Sequence, residues 1–302
     1  MASVTLLAQS APAAPIDGAS ALGRAPQRLS VQTVVHAAKQ PRRPIYAAFY
    51  YPEYPAWWGI GARYSPLLGL YDAADALVRR QHIQWLTFSK MDAAISSWYP
   101  DDPTDLRLRE LLADTAAVGS PLKWAVYYEL EQYRNPSTAE LVRHLTHIRD
   151  ELASSPAYLR VGGKPVVLVY NAYDNPCETS KRWAQANSQL GNLFYVSLKL
   201  ELGWKSCRPQ PSTWHQYGPD IPYGEEQGYA AYVTPGFWRA DAESPLHARS
   251  LTTFRKNVQR LVAGDEPWRF VISFNEWPEG TSVEPSAEWG DSYLQVLAES
   301  IP

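Results

Sequence analysis

From Ile45 to the C-terminus, short apolar runs alternate with longer amphipathic stretches, and this rhythm restricts the fold more than any other feature of the 302-residue chain. Runs rich in Ala, β-branched and aromatic residues read as buried strands, while stretches with a period of about 3.6 residues read as helices. The predicted strands are 45–51, 93–98, 123–129, 165–170, 193–199, 213–217, 229–234 and a last one opening at Phe270. Predicted helices fill 72–90, 105–118, 137–153, 179–190, 247–262 and 289–301, the third opened by a Ser137/Glu140 capping box. Strand–helix alternation is the pattern of a parallel sheet. It predicts a single (β/α)8 barrel over 45–302, irregular around strands six and seven, where no room remains for a full helix. An open doubly wound sheet is the runner-up. Against it, no Gly-rich phosphate loop follows the first strand.

Residues 1–44 differ in kind. They are rich in Ala, Pro and Ser and read as a linker or the remnant of an export segment. No apolar run reaches the 18 or more residues of a membrane span. The net charge of −3 gives no electrostatic case for nucleic acid or an anionic membrane. A monomer is expected.

A barrel collects its functional groups at the C-terminal ends of its strands. Here those ends are Tyr50 and Tyr51, Trp98, Glu129, Tyr170 and Asn171, Lys199, His215 and Gln216, Thr234, then Glu276. The switch from aliphatic interiors to polar and aromatic tips recurs along the chain, which is the pattern of a binding cleft. The chain holds 12 Trp and 19 Tyr against 7 Phe. Such polar-tipped aromatics stack on sugar rings while bonding to hydroxyls, and they equally fill cores. Tyr50, Tyr51, Trp98, Tyr170 and Trp238 are the candidate stacking walls, with His215 and Lys199 as candidate polar contacts.

The chemistry concentrates in Asn275-Glu276-Trp277-Pro278-Glu279-Gly280, directly after the last strand. A Glu-x-x-Glu pair is common on solvated helices, but Pro278 argues against a helix here. Two carboxyls beside an indole suit acid/base work on a sugar, one protonating an oxygen and the other removing a proton. Asn275 and Trp277 flank the pair as candidate substrate contacts, and Trp277 would help to desolvate it.

The stretch Ile272-Ser-Phe-Asn-Glu-Trp-Pro-Glu-Gly-Thr-Ser-Val-Glu-Pro285 resembles the C-terminal signature of glycoside hydrolase family 99, the endo-α-mannosidases and endo-α-1,2-mannanases, and of its wider relatives. Ala48-Phe-Tyr-Tyr-Pro52, Tyr127-Tyr-Glu129 and Gly163-Lys-Pro-Val-Val-Leu-Val-Tyr170 resemble its motifs at strands one, three and four. The resemblance implies a retaining hydrolase without cofactor, acting on an oligo- or polysaccharide. It implies Glu276 as the base that deprotonates the sugar's own 2-hydroxyl, Glu279 as the general acid, and Glu129 as a third, hydroxyl-orienting carboxylate. Pro278 stands where the family has His. The residues themselves equally allow a covalent glycosyl-enzyme with Glu129 or Glu276 as nucleophile.

The alternative is the same barrel as a carbohydrate-binding or glycan-transfer protein. An enzyme of phosphorylated metabolites would need a phosphate cradle that Thr234-Pro-Gly236 and Gly280-Thr281 supply poorly. No His/Cys/Asp cluster has metal-ligand spacing, so no metal is expected. Cys177 and Cys207 fall in loops on one predicted face. A disulfide between them would close a loop of about 30 residues and favour an extracellular or periplasmic protein; two free thiols are the other reading.

Overall fold

The computed structural model describes residues 40–171 and 175–302, all within the unit Ala37–Pro302. The predicted linker or export remnant therefore lies, up to residue 39, outside the described residues.

The strands are β1 (Ile45–Tyr50), β2 (Ala93–Trp98), β3 (Lys123–Tyr128), β4 (Arg160–Val161), β5 (Lys164–Val169), β6 (Tyr195–Lys199), β7 (Thr213–His215), β8 (Tyr223–Glu226), β9 (Ala230–Val233) and β10 (Trp268–Val271). They form one ten-stranded sheet in the order β7-β6-β5-β3-β2-β1-β10-β9-β8, with β4 paired to β5 alone. Neighbours are parallel, except that β8 on β9 and β4 on β5 are antiparallel. The sheet is curled. Phe49 on β1 lies 4.7 Å from the Tyr127 ring on β3, 5.2 Å from Phe270 on β10 and 4.8 Å from Tyr217 just beyond β7. Strands so far apart in the order can share contacts only across a concave face. This mixed α/β architecture agrees with the expected class. Among the described residues no ladder joins β7 to β9.

The helices are α1 (Ala76–Phe88), α2 (Pro103–Ala117), α3 (Thr138–His147), α4 (Pro176–Gln189), α5 (Leu251–Ala263) and α6 (Ser292–Ser300). Side chains that accept from first-turn amides start α1 to α5: Asp75, Asp102, Ser137, Asn175 and Ser250. The Ser137/Glu140 capping box is present. Alternation along each strand separates two cores. Tyr46, Ala48, Tyr50, Ala94 and Trp98 pack outward with helix residues such as Ile83, Leu108, Leu141 and Val258. Ala47, Phe49, Tyr51, Ile95, Tyr127, Leu168, Phe270 and Ile272 pack inward. Where a helix would separate strands six and seven of a regular barrel, the antiparallel β8 stands instead. Gly224 on β8 lets the Tyr232 ring of β9 lie against it, since a Cβ there would come within 2.3 Å of that ring. Cys177, in the first turn of α4, is bonded to Cys207.

Candidate active site

The chain leaves β10 at Val271 and reaches a single 3-10 turn, Trp277–Glu279, with Glu276 at its N-cap and Glu279 as its last residue. Asn275 fixes where this turn starts. Its side chain accepts from the Tyr51 N–H at 2.8 Å and donates to the Tyr51 carbonyl at 2.8 Å, while its own carbonyl accepts from the Tyr54 hydroxyl at 2.7 Å. Every polar group of Asn275 toward β1 is thus engaged, so the residue positions the loop. Trp277 is wholly buried and its indole N–H donates to Glu284 Oε2 at 2.8 Å. Glu284 also accepts from Tyr71, and its other oxygen meets His82 at 3.2 Å. Gly280 ends the turn at φ +65°, with the Trp238 carbonyl 2.8 Å from where a Cβ would sit. The 238–240 strip completes the support: Trp238 N–H donates to the Glu279 carbonyl and Ala240 N–H to that of Pro278.

Glu276 is buried, its Oε2 accepting from the Tyr217 hydroxyl at 2.6 Å. Tyr217 in turn lies 2.5 Å from the Tyr51 hydroxyl. Because Tyr217 donates to the carboxylate, Tyr51 is the donor to Tyr217, and the relay runs Tyr51 to Tyr217 to Glu276. Burial first, and the neighbouring Glu279 second, push the Glu276 carboxyl well above the usual range, against the Tyr217 hydrogen bond. Burial lifts Glu279 to about 7, opposed by the Arg239 charge and helped by Asp241. Its Oε2 is sheltered without a hydrogen-bond partner. Two carboxyls that interact in this way share protons as a unit.

The other predicted contacts divide by strand parity. Tyr51 and Tyr170 stand in the hollow; the Tyr170 ring lies 5.8 Å from Tyr127 and 5.6 Å from Tyr217, and feels Glu129, Glu279 and Glu276. Glu129 is buried, and its Oε2 accepts from Gln132 at 3.1 Å. His215 faces inward, within 2.9 Å of Ser197 Oγ, and burial followed by the Lys199 charge lowers its pKa to about 3, so the ring is neutral. Lys199 pairs with Glu201 and sits 4.8 Å over the Tyr170 ring. Trp238 lies at the rim, its indole donating to the Ala242 carbonyl with Arg63 5.1 Å above it.

Tyr50 and Trp98 are not brought to the hollow. Being one residue out of phase with Tyr51 and Ser97, they turn to the helix layer. Tyr50 binds His82 Nδ1 at 3.0 Å, and the Trp98 indole donates to Asp105 at 2.9 Å. Trp98 instead lines a cleft of about 440 Å³ between α2 and α3, together with Arg143, His144 and His147. That cleft lies on the helix side, away from the acidic pair. Two inward residues escaped the sequence reading. Tyr217 closes the 213–217 run and holds Glu276. Glu53 follows Pro52 beyond β1, where strand-end reasoning does not look, and its Oε1 accepts from Ser97 Oγ. Among the described residues no group of His, Cys, Asp and Glu is placed to hold a metal ion.

The sequence pattern of glycosyl hydrolase family 99 matches residues 35–196, more than half of the chain. The chain belongs to glycosyl hydrolase family 99. The match covers β1 to the start of β6 and stops short of the acidic turn. This family-99 chain is 25% identical over 274 residues to the glycoprotein endo-alpha-1,2-mannosidase of Xenopus laevis, across 74% of its own length and 59% of the relative's. It therefore spans less than two thirds of that relative. Among solved structures it is similar to a family-99 endo-alpha-mannosidase from Bacteroides thetaiotaomicron in complex with BIS-TRIS-Propane, at TM-score 0.70 and 18% identity, over 84% of this chain and 95% of that one. A glycoside hydrolase-like protein follows at TM-score 0.67 and 15% identity, over 88% and 95%. At such identities the likeness concerns the fold.

Proposed function

We propose that this family-99 chain is a retaining glycoside hydrolase, endo-acting on an α-linked, mannose-like glycan. The observation that carries the reading is the turn after β10, which sets a buried Glu276 and a half-buried Glu279 within electrostatic reach of each other at the end of a curled parallel sheet. The sheet is read as a (β/α)8 barrel interrupted at β8, with the hollow at its C-terminal end as the glycan site.

The reaction requires one proton on the pair, held by Glu279, with Glu276 charged. The Tyr217 hydroxyl favours the anion on Glu276, which suits it to remove the proton of the sugar's 2-hydroxyl. That oxygen attacks C1 and displaces the leaving group, giving a 1,2-anhydro sugar that water then opens at C1. Glu279 keeps the proton, with its Oε2 free of any protein partner and ready for the departing glycosidic oxygen. Two successive displacements at C1 retain configuration. The name of the Xenopus relative supports mannose as the sugar, and the Cys177–Cys207 bond supports an extracellular or periplasmic site of action for a monomer.

Glu276→Gln and Glu279→Gln test this on α-linked mannan. Each is expected to keep the circular dichroism of the parent while losing turnover by about 10³-fold or more, the scale on which removal of a single catalytic group is felt. Undiminished turnover in either variant contradicts the assignment.

A further inference from the structure

A second pair of carboxyls lies in the hollow, away from the acidic turn. Ser97 faces inward on β2, in register with Tyr127 on β3, and so stands between the end of β1 and the end of β3. Its hydroxyl donates to Glu53 Oε1 and also favours the charged form of Glu129. Glu53 Oε2 is sheltered and has no hydrogen-bond partner, and Glu129 is buried. No basic side chain figures among the charges acting on either. The ionisable groups that interact electrostatically with Glu53 are Glu129, Asp102, Glu276, Tyr99 and Tyr54 in and around the hollow and Tyr50 from the helix side, all acidic. A charged Glu53 repels a charged Glu129, and a proton on Glu53 removes that repulsion.

We infer that Glu53 is a positioning residue for substrate recognition: held by the Ser97 hydroxyl and protonated at Oε2, it leaves Glu129 undisturbed to meet a sugar hydroxyl as a fixed hydrogen-bonding group. The inference rests on the glycan reading above, and it explains the partnerless Oε2, which is the site of that proton. Burial lifts Glu53 to about 8. Raising the pH through this value removes the proton, turns the pair into two repelling anions and loosens Glu129.

The test is calorimetric titration of an α-1,2-linked manno-oligosaccharide into the full chain carrying Glu279→Gln, which stops turnover and removes that titration. The parent Kd is expected to weaken at least tenfold between pH 6.5 and 9. Adding Glu53→Gln, which stays neutral at every pH and keeps an oxygen for the Ser97 hydroxyl, should keep the pH 6.5 Kd within about threefold and abolish the pH dependence. Adding Glu53→Ala should weaken Kd at least tenfold at pH 6.5 with unchanged circular dichroism. Parent-like binding by the Ala variant, or unchanged pH dependence in the Gln variant, overturns the inference. No binding of the oligosaccharide by the parent overturns it too. The predicted pattern without bond cleavage by the wild-type chain overturns only the hydrolase reading.

Discussion

At Glu276 and Glu279 burial acts on both carboxyls, yet only Glu276 receives a hydroxyl hydrogen bond, from Tyr217. That asymmetry sets the direction of the pH response. As the proposed general acid Glu279 holds a proton, and burial lifts it to about 7, so turnover is expected to fall as pH rises through that value. Tyr217→Phe removes the donor that favours the Glu276 anion. It should shift the acid limb of the kcat/KM profile to higher pH and lower the maximum by about 10- to 100-fold. An unmoved acid limb would mean that Tyr217 does not tune the pair. The two carboxyls, their flanking Asn and the aromatic abundance were legible in the sequence. Which of two adjacent strand-end residues faces inward was not: Tyr50 and Tyr51, or Ser97 and Trp98, differ by one position, and the phase depends on where each ladder begins. Glu53 escaped because it stands beyond the strand, past Pro52, with no motif around it.

The turn Trp277–Glu279 is held by backbone contacts to the 238–240 strip, and Gly280 is the residue that permits them. Gly280→Ala imposes a left-handed conformation on an L-residue, about 1–2 kcal/mol, and drives a methyl toward the Trp238 carbonyl. The expected outcome is a lower thermal midpoint and at least tenfold lower turnover, because the displaced strip carries Glu279 with it. Parent-like values for both would show that the strip does not set the turn. Most strands were readable as apolar runs, and the α3 start as a capping box. The antiparallel β8 was not, because Tyr223-Gly-Glu-Glu226 lacks an apolar run and owes its place to backbone pairing with β9. The predicted last strand also stops early, at Val271, since the chain beyond it turns to present Asn275 and the acidic pair.

Across the described part of the unit Ala37–Pro302, helices clothe a curled sheet whose inner side carries at least four interacting carboxyls, Glu53, Glu129, Glu276 and Glu279. The bond between Cys177 and Cys207 spans 30 residues of sequence and pins α4 to the loop between β6 and β7. A Cys177→Ser/Cys207→Ser double variant is expected to lose about 3–4 kcal/mol of stability in denaturant titration, with KM unchanged. A stability equal to the parent's would remove this argument for an oxidising compartment. Family membership is shown by sequence and the curled fold by structure, while the reaction is a proposal resting on the acidic turn. The anomeric configuration of the first product released from an α-linked mannan, followed by proton NMR before mutarotation, tests that reaction most directly. The account predicts the α-anomer first, abolished by Glu276→Gln. Initial release of the β-anomer, or an α-anomer formed at the parent rate without Glu276, would contradict it.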